Sequence, residues 1–328
     1  MTSIGIPIEK GYPQFVAVNL RTGTVYLSYN SSNFILPINT TLRTKEPKIE
    51  CKSLGNIAIN HVTSMIYASS TDGICMIDGS TNRFKSYIRN GTGRSRGDIE
   101  INAATNTIYA TCFDSNVLTV IDGISGSLTA KIEVGKDHRG IAIDPISKKI
   151  FVANSGSNSI SVVDEQSNKV VDTIKIELDS GAAGKIPKFI IADPSMKQLY
   201  VQYCEILRAE GMAIFATSLL VIDTIKKTTV SKRQLYVNLA TSPTDGLAFA
   251  FNNNNKVLYT SRKASNTVLM LDTYGKKVLK KIVLEKGKIW KNIVSHIISI
   301  AEPITIDTKT NKVYVIDSSK NLLYELDG

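Results

Sequence analysis

The sequence predicts an all-β chain, a seven-bladed β-propeller whose ring is closed by the N-terminal strand completing the last blade. Three observations predict it. A degenerate unit of about 42 residues recurs along a chain of 328 residues, within the range of periods that marks solenoids and propellers. The clearest units hold four short runs rich in β-branched residues, separated by Asn, Asp, Ser, Gly or Pro, the pattern of strands joined by hairpins. Three landmark positions also return in all seven units.

The first strand of each unit ends in Asn19, Asn60, Asn102, Asp144, Asp193, Asn252 or Asp307. An Asx side chain there bonds the backbone two residues on and sets a tight turn. The second strand carries an aromatic ring at Tyr26, Tyr67, Tyr109, Phe151, Tyr200, Tyr259 or Tyr314, a large apolar plug against the neighbouring blade. The third strand ends in Asn39, Asp78, Asp122, Asp164, Asp223, Asp272 or Asp327.

In order, these landmarks place the blades at approximately 14–55, 56–97, 98–140, 141–189, 190–246, 247–302 and 303–328, the last joined by 3–9, all in one domain. The fourth unit is the clearest, with strands at 141–144, 149–154, 159–164 and 169–176. The fifth inserts 203–215 between its second and third strands; an extended hairpin or a small flap over the mouth is expected. The sixth is lysine-rich at Lys276, Lys277, Lys280 and Lys281 and runs on through 285–302, where Ile289, Ile293 and Ile297 recur at helical spacing. A short helix packed on the ring is expected there, a basic, Trp290-bearing surface for an acidic partner or membrane being the alternative.

The seventh unit stops after three strands, near 304–307, 313–316 and 322–326. Residues 3–9 precede the first unit and resemble outer strands such as 173–177. They are expected to supply the missing strand and so to make the given chain an entire domain. Pro7 suits an outermost strand, which tolerates the loss of one donor.

Composition is that of an ordinary globular chain, 43% hydrophobic and 21% charged. A net charge of +10 favours anionic partners, with lysines serving solubility as the plain alternative. Cys51, Cys75, Cys112 and Cys204 form no C-x-x-C pair and read as buried free thiols, one disulfide remaining open. No apolar stretch reaches the roughly 18 residues of a membrane-spanning helix. The N-terminus lacks the basic start and long apolar run of a signal peptide, which leaves a cytoplasmic protein or an exported one whose leader has been removed.

The segment 135–177 resembles the repeat of the YVTN propellers, a bacterial and archaeal family. Val134-Gly135, Gly140-Ile141-Ala142-Ile143, Pro145, Phe151-Val152-Ala153-Asn154 and Ser161-Val162-Val163-Asp164 carry the likeness, with partial echoes at 119–122 and 220–223. The resemblance covers essentially the whole chain and implies the fold. It also implies a cell-surface, surface-layer or periplasmic setting, and no particular ligand. The absent leader and the two insertions depart from the family pattern.

Propeller ligands usually sit over the channel, on the face formed by the inter-blade links and the loops between second and third strands. Arg139 lies just before an innermost strand and aligns with Gln14, Gly55, Gly97, Lys188, Leu247 and Glu302. Arg94, Arg96, His138, Arg139, Lys185 and Lys188 are therefore the candidate ligand-binding residues, with Asp98 and Asp245 beside them. Cations gathered on one rim suit a phosphate, sulfate or carboxylate; a solvated rim is the alternative.

Glu100 stands where the other blades carry Ala17, Ala58, Ala142, Ile191, Ala250 and Thr305. A carboxylate at a small, buried position needs a partner or a raised pKa, and Arg96 or Arg139 is the expected partner in a salt bridge across blades. Glu100, His138, His296 and Glu302 are the only candidates for acid–base or metal chemistry. They show no metal-ligand spacing, and no nucleotide loop, nucleophile elbow or zinc pattern occurs. No catalytic residue, metal or cofactor is assigned.

The expected function is a non-enzymatic, monomeric binding propeller engaging an anionic ligand or protein partner at a basic channel mouth. A lyase or hydrolase with its site over the channel is one alternative. Electrostatic nucleic-acid binding, steeply weakened by salt, is another.

Overall fold

Every regular element of the described residues is a β-strand. The structure, a computed structural model, describes residues 4–11, 13–29, 32–89, 97–111, 115–177, 182–209, 212–238, 248–262, 267–284, 303–318 and 320–328. Seven antiparallel sheets follow one another around a ring as the blades of a seven-bladed β-propeller. The innermost strands are Pro13–Asn19, Ser53–Asn60, Ile99–Asn102, His138–Asp144, Ala182–Asp193, Ala248–Asn252 and Ile304–Asp307.

Each innermost strand ends because its Asx side chain captures the chain. The side-chain oxygens of Asn19, Asn60, Asn102, Asp144, Asp193, Asn252 and Asp307 accept from the backbone N–H groups of Arg21, Val62, Ala104, Ile146, Ser195, Asn254 and Lys309 at 2.9–3.1 Å. Two residues beyond each of those donors the chain turns left-handed, at Gly23, Ser64, Asn106, Lys148, Lys197, Lys256 and Asn311, with φ between 53° and 70°. The left-handed residue returns the chain into the second strand. One local rule builds all seven turns.

The aromatic landmarks are buried between blades. Three of their hydroxyls donate to the next blade: Tyr26 to Asn82 Oδ1 at 2.5 Å, Tyr67 to the Gly123 carbonyl at 3.0 Å and Tyr109 to Glu165 Oε1 at 3.2 Å. Apolar packing is likewise shared between neighbours. Phe151, Ile160 and Ile174 of the fourth blade meet Ile190, Leu199, Tyr203 and Leu220 of the fifth.

The N-terminal strand Ile4–Pro7 pairs antiparallel with Leu322–Asp327 and completes the seventh blade as its outermost strand. Ile6 and Ile8 then bury against Leu27, Leu36 and Leu323, so the closing strand also packs on the first blade. The fifth blade is long: Gln198–Ala209 and Met212–Asp223 pair over twelve positions, so the insertion extends the hairpin. In the sixth blade Val278–Val283 is the outer strand, while the region expected to be helical falls outside the described residues.

Cysteine pairing corrects the free-thiol expectation for two residues and takes the one-disulfide alternative. Cys51 and Cys75 are joined by a disulfide with Cα atoms 6.5 Å apart, and Cys204 is buried and free. Cys51 follows the outer edge of the first blade and Cys75 lies in the strand Gly73–Asp78 of the second. Lateral packing of the two blades brings them together, which cysteine spacing does not reveal. Cys112 lies outside the described residues.

Candidate functional site

All seven innermost strands line a central channel of about 620 Å³. Most of its wall is apolar, with Ala17, Ala58, Ile141, Ile191, Phe249 and Ile304 among the lining residues. Its polar groups are Gln14, Asn56, Asp98, Arg139 and Lys188 towards one end, His61 and Thr308 towards the other, and Glu100 and Thr305 between.

Bulges place the residues at the mouth. The ladder skips one residue between Pro13 and Phe15, between His138 and Gly140, and between Pro187 and Phe189. The skipped residues are Gln14, Arg139 and Lys188, and all three line the channel. A bulge takes a residue out of the ladder and re-aims its side chain. Arg139 and Lys188 therefore converge from adjacent blades.

The backbones carrying them are closely packed. A Cβ on Gly140 would come within 2.8 Å of the Lys188 carbonyl oxygen, and the Ser155 hydroxyl donates to the Pro187 carbonyl at 2.5 Å. Phe15 and Phe189 follow the bulged residues and also line the channel.

Asp98 braces three blades. One carboxylate oxygen accepts from Asn56 Nδ2 of the second blade and from the Ile99 N–H, and the other accepts from the Ile141 N–H of the fourth at 2.9 Å. Burial raises its pKa to about 6, against the stabilising bonds from Asn56, Ile141 and Ile99.

Glu100, two residues further along the chain, has no such partners. It faces the channel and also a side recess of about 360 Å³ bounded by Ile101, Ile141, Ile143, Ile190 and Ala192. Among the described residues no cation pairs with it, so the salt bridge expected with Arg139 is not formed. Burial first, and the charge of Asp98 second, push its carboxyl up to about 8, while the Ile101 N–H favours the charged form.

His138 takes a different position from the mouth residues. It is fully buried, does not line the channel, and neither ring nitrogen has a well-formed hydrogen bond. Burial lowers its pKa; backbone groups at His138 and Val117 act the other way without reaching hydrogen-bond geometry. Lys185 lies further out on the first strand of the fifth blade, its backbone opposite Glu205, and its side chain is outside the described residues. Arg94, Arg96, Asp245, His296 and Glu302 are also outside them.

The structure thus brings Arg139, Lys188 and Glu100 to one cavity and separates His138 from it. Asn56, Phe15 and Phe189 were not singled out in the sequence. The signal available was the count back from each Asx landmark, which puts all three four residues before it, on the same strand face as the position of Glu100.

Neither a protein-family model nor a curated protein matches the chain. Solved structures do. A chain of Kuenenia stuttgartiensis hydrazine synthase superposes with a TM-score of 0.77 at 15% identity, covering 98% of this chain and 97% of that one. The β-propeller domain of Myceliophteria thermophila Cps50 (Swd1) superposes with a TM-score of 0.66 at 10% identity, each chain covered over 100% of its length. At such identities the likeness shows the fold alone.

Proposed function

We propose that this chain is a non-enzymatic binding propeller that holds the anionic group of a ligand between Arg139 and Lys188 and receives the rest of the ligand in its channel. The observation that carries this reading is the matched pair of bulges in adjacent blades, each turning one cation into the channel. Beneath the cations most of the wall is apolar, and Phe15 and Phe189 flank the entrance to it. That combination suits a ligand with a carboxylate or phosphate at one end and an apolar body. The YVTN-like repeat fits a cell-surface or periplasmic setting for such a protein.

Octanoate and octyl phosphate are suitable probes, titrated calorimetrically at low salt into the full chain and into Arg139→Ala and Lys188→Ala. A charge-assisted contact to either cation corresponds to a loss of roughly 10–100-fold in affinity on substitution. Equal affinity in all three proteins, or no binding to any, would sink the reading.

A further inference from the structure

We infer that the channel contains a second subsite, for a primary ammonium group, at Glu100, and that its ligand is a zwitterion with an apolar spacer. The anionic end of this ligand rests on the reading of the mouth given above; the ammonium end rests on Glu100 alone.

Glu100 is a carboxylate at a position of the wall that is uncharged in every other blade. At the equivalent position the other blades carry Ala17, Ala58, Ala142, Ile191, Ala250 and Thr305, so only Thr305 offers a polar group, and no blade offers a cation. The recess beside it is bounded by Ile101, Ile141, Ile143 and Ile190. A buried charge is costly unless it is paired and hydrogen-bonded, and the described residues supply no pairing cation. The neighbouring Asp98 already spends its oxygens on Asn56, Ile99 and Ile141. It adds negative charge near Glu100 without adding a donor.

An ammonium group answers both deficits at once, because it brings a positive charge and three donors. A divalent metal ion fits less well. Such an ion takes on the order of six oxygen ligands, and the described residues contain no group of carboxylates, cysteines or histidines able to hold one.

Spacing gives the ligand its length. Counted from the Asx turns at Asn102 and Asp144, Arg139 sits three residues further out than Glu100. At about 3.3 Å per strand residue the two backbone positions are separated by roughly 10 Å along the channel. Between them the wall is formed by Ile141 and its neighbours. The class of ligand is therefore an ω-amino acid or a similar amine-bearing acid with an extended hydrocarbon middle.

The test uses 8-aminooctanoate, octanoate, octylamine and 4-aminobutyrate, titrated calorimetrically into the full chain and into Glu100→Gln, an isosteric change. In the wild type 8-aminooctanoate should bind about tenfold or more tightly than octanoate. The ratio should widen from pH 6 to pH 9 as Glu100 loses its proton, since the amine stays charged until about pH 10. 4-Aminobutyrate, too short to reach both groups, should gain nothing over octanoate. In Glu100→Gln the ratio should collapse towards one.

Equal affinities for 8-aminooctanoate and octanoate in the wild type overturn the inference. So does a ratio that survives in Glu100→Gln. Octylamine binding that depends on Glu100, with no octanoate binding, sustains the ammonium subsite and overturns the reading of the mouth instead. Absence of binding by all the probes overturns both.

Discussion

Asp193 ends the innermost strand of one blade at its turn, and Asp98 immediately precedes the innermost strand of another, near the mouth. Asp193 does what the Asx residue of each other blade does at the same place, accepting at Oδ1 from the backbone N–H two residues on, here Ser195; Met196 and, at 3.4 Å, Lys256 of the next blade add to that bond. Among the described residues no other blade does what Asp98 does, joining three blades through Asn56 and the Ile141 N–H. The same contrast runs along every strand. The turn end carries seven Asx residues, while five residues earlier the described strands carry Gln14, Gly55, Gly97, Arg139 and Lys188. Repetition at one end holds a ring of like blades together. At the other end the blades are released from that role and can differ, and those differences shape the cavity.

The hardest blow to the repeated part is removal of residues 1–9. The closing strand buries Ile6 and Ile8, and at about 1.5–3 kcal/mol for each fully buried aliphatic side chain the loss is about 3–6 kcal/mol. The deletion also strips Leu322–Asp327 of its partner and exposes a sheet edge. Urea denaturation of the truncated chain should show a midpoint far below that of the full chain. An unchanged midpoint would mean that ring closure contributes nothing to stability.

Single turns should matter less, and their chemistry should be interchangeable. Asp193→Ala removes the acceptor for the Ser195 and Met196 backbone and the partner of Lys256. About 1–3 kcal/mol of stability should be lost. Asp193→Asn should be nearly silent, because Asn19, Asn60, Asn102 and Asn252 perform the same turn with an amide. If alanine and asparagine at this position melt alike, the Asx bond is incidental to the turn.

This division explains what could be read from the sequence. The turns and aromatic plugs are local in cause and repeated seven times, so the blades, their order and the closing strand were all legible. Arg139, Lys188 and Glu100 were legible as exceptions to the repeat. Their use was not, because it depends on contacts across blades. The partner assigned to Glu100 shows this: Arg139 lies on the adjacent blade, yet a bulge turns it into the mouth, about three residues along the strand from the carboxylate. His138 shows it from the other side. It precedes Arg139 by one residue, and the alternation of side chains sends it into the blade and away from the channel.

Glu100→Gln separates the two ends of the strand by the sign of its effect. At a turn an amide serves as well as a carboxylate and only loss of the acceptor destabilises, whereas an amide in place of Glu100 should stabilise at neutral and alkaline pH. Folding raises the Glu100 pKa from an ordinary 4.5 to about 8, so between those values the folded chain holds a proton that the unfolded chain has released. Stability then falls as pH rises through that window. In the wild type urea midpoints should decline from pH 5 to pH 8.5. In Glu100→Gln the decline should be shallower, confined mainly to the part due to Asp98 below about pH 6. The variant should gain about 1–2 kcal/mol over the wild type at pH 8.5 and nothing at pH 4. Parallel pH profiles for the two proteins would show that the Glu100 charge is solvated in the channel. The contrast between turn and wall would then be one of geometry without an electrostatic counterpart.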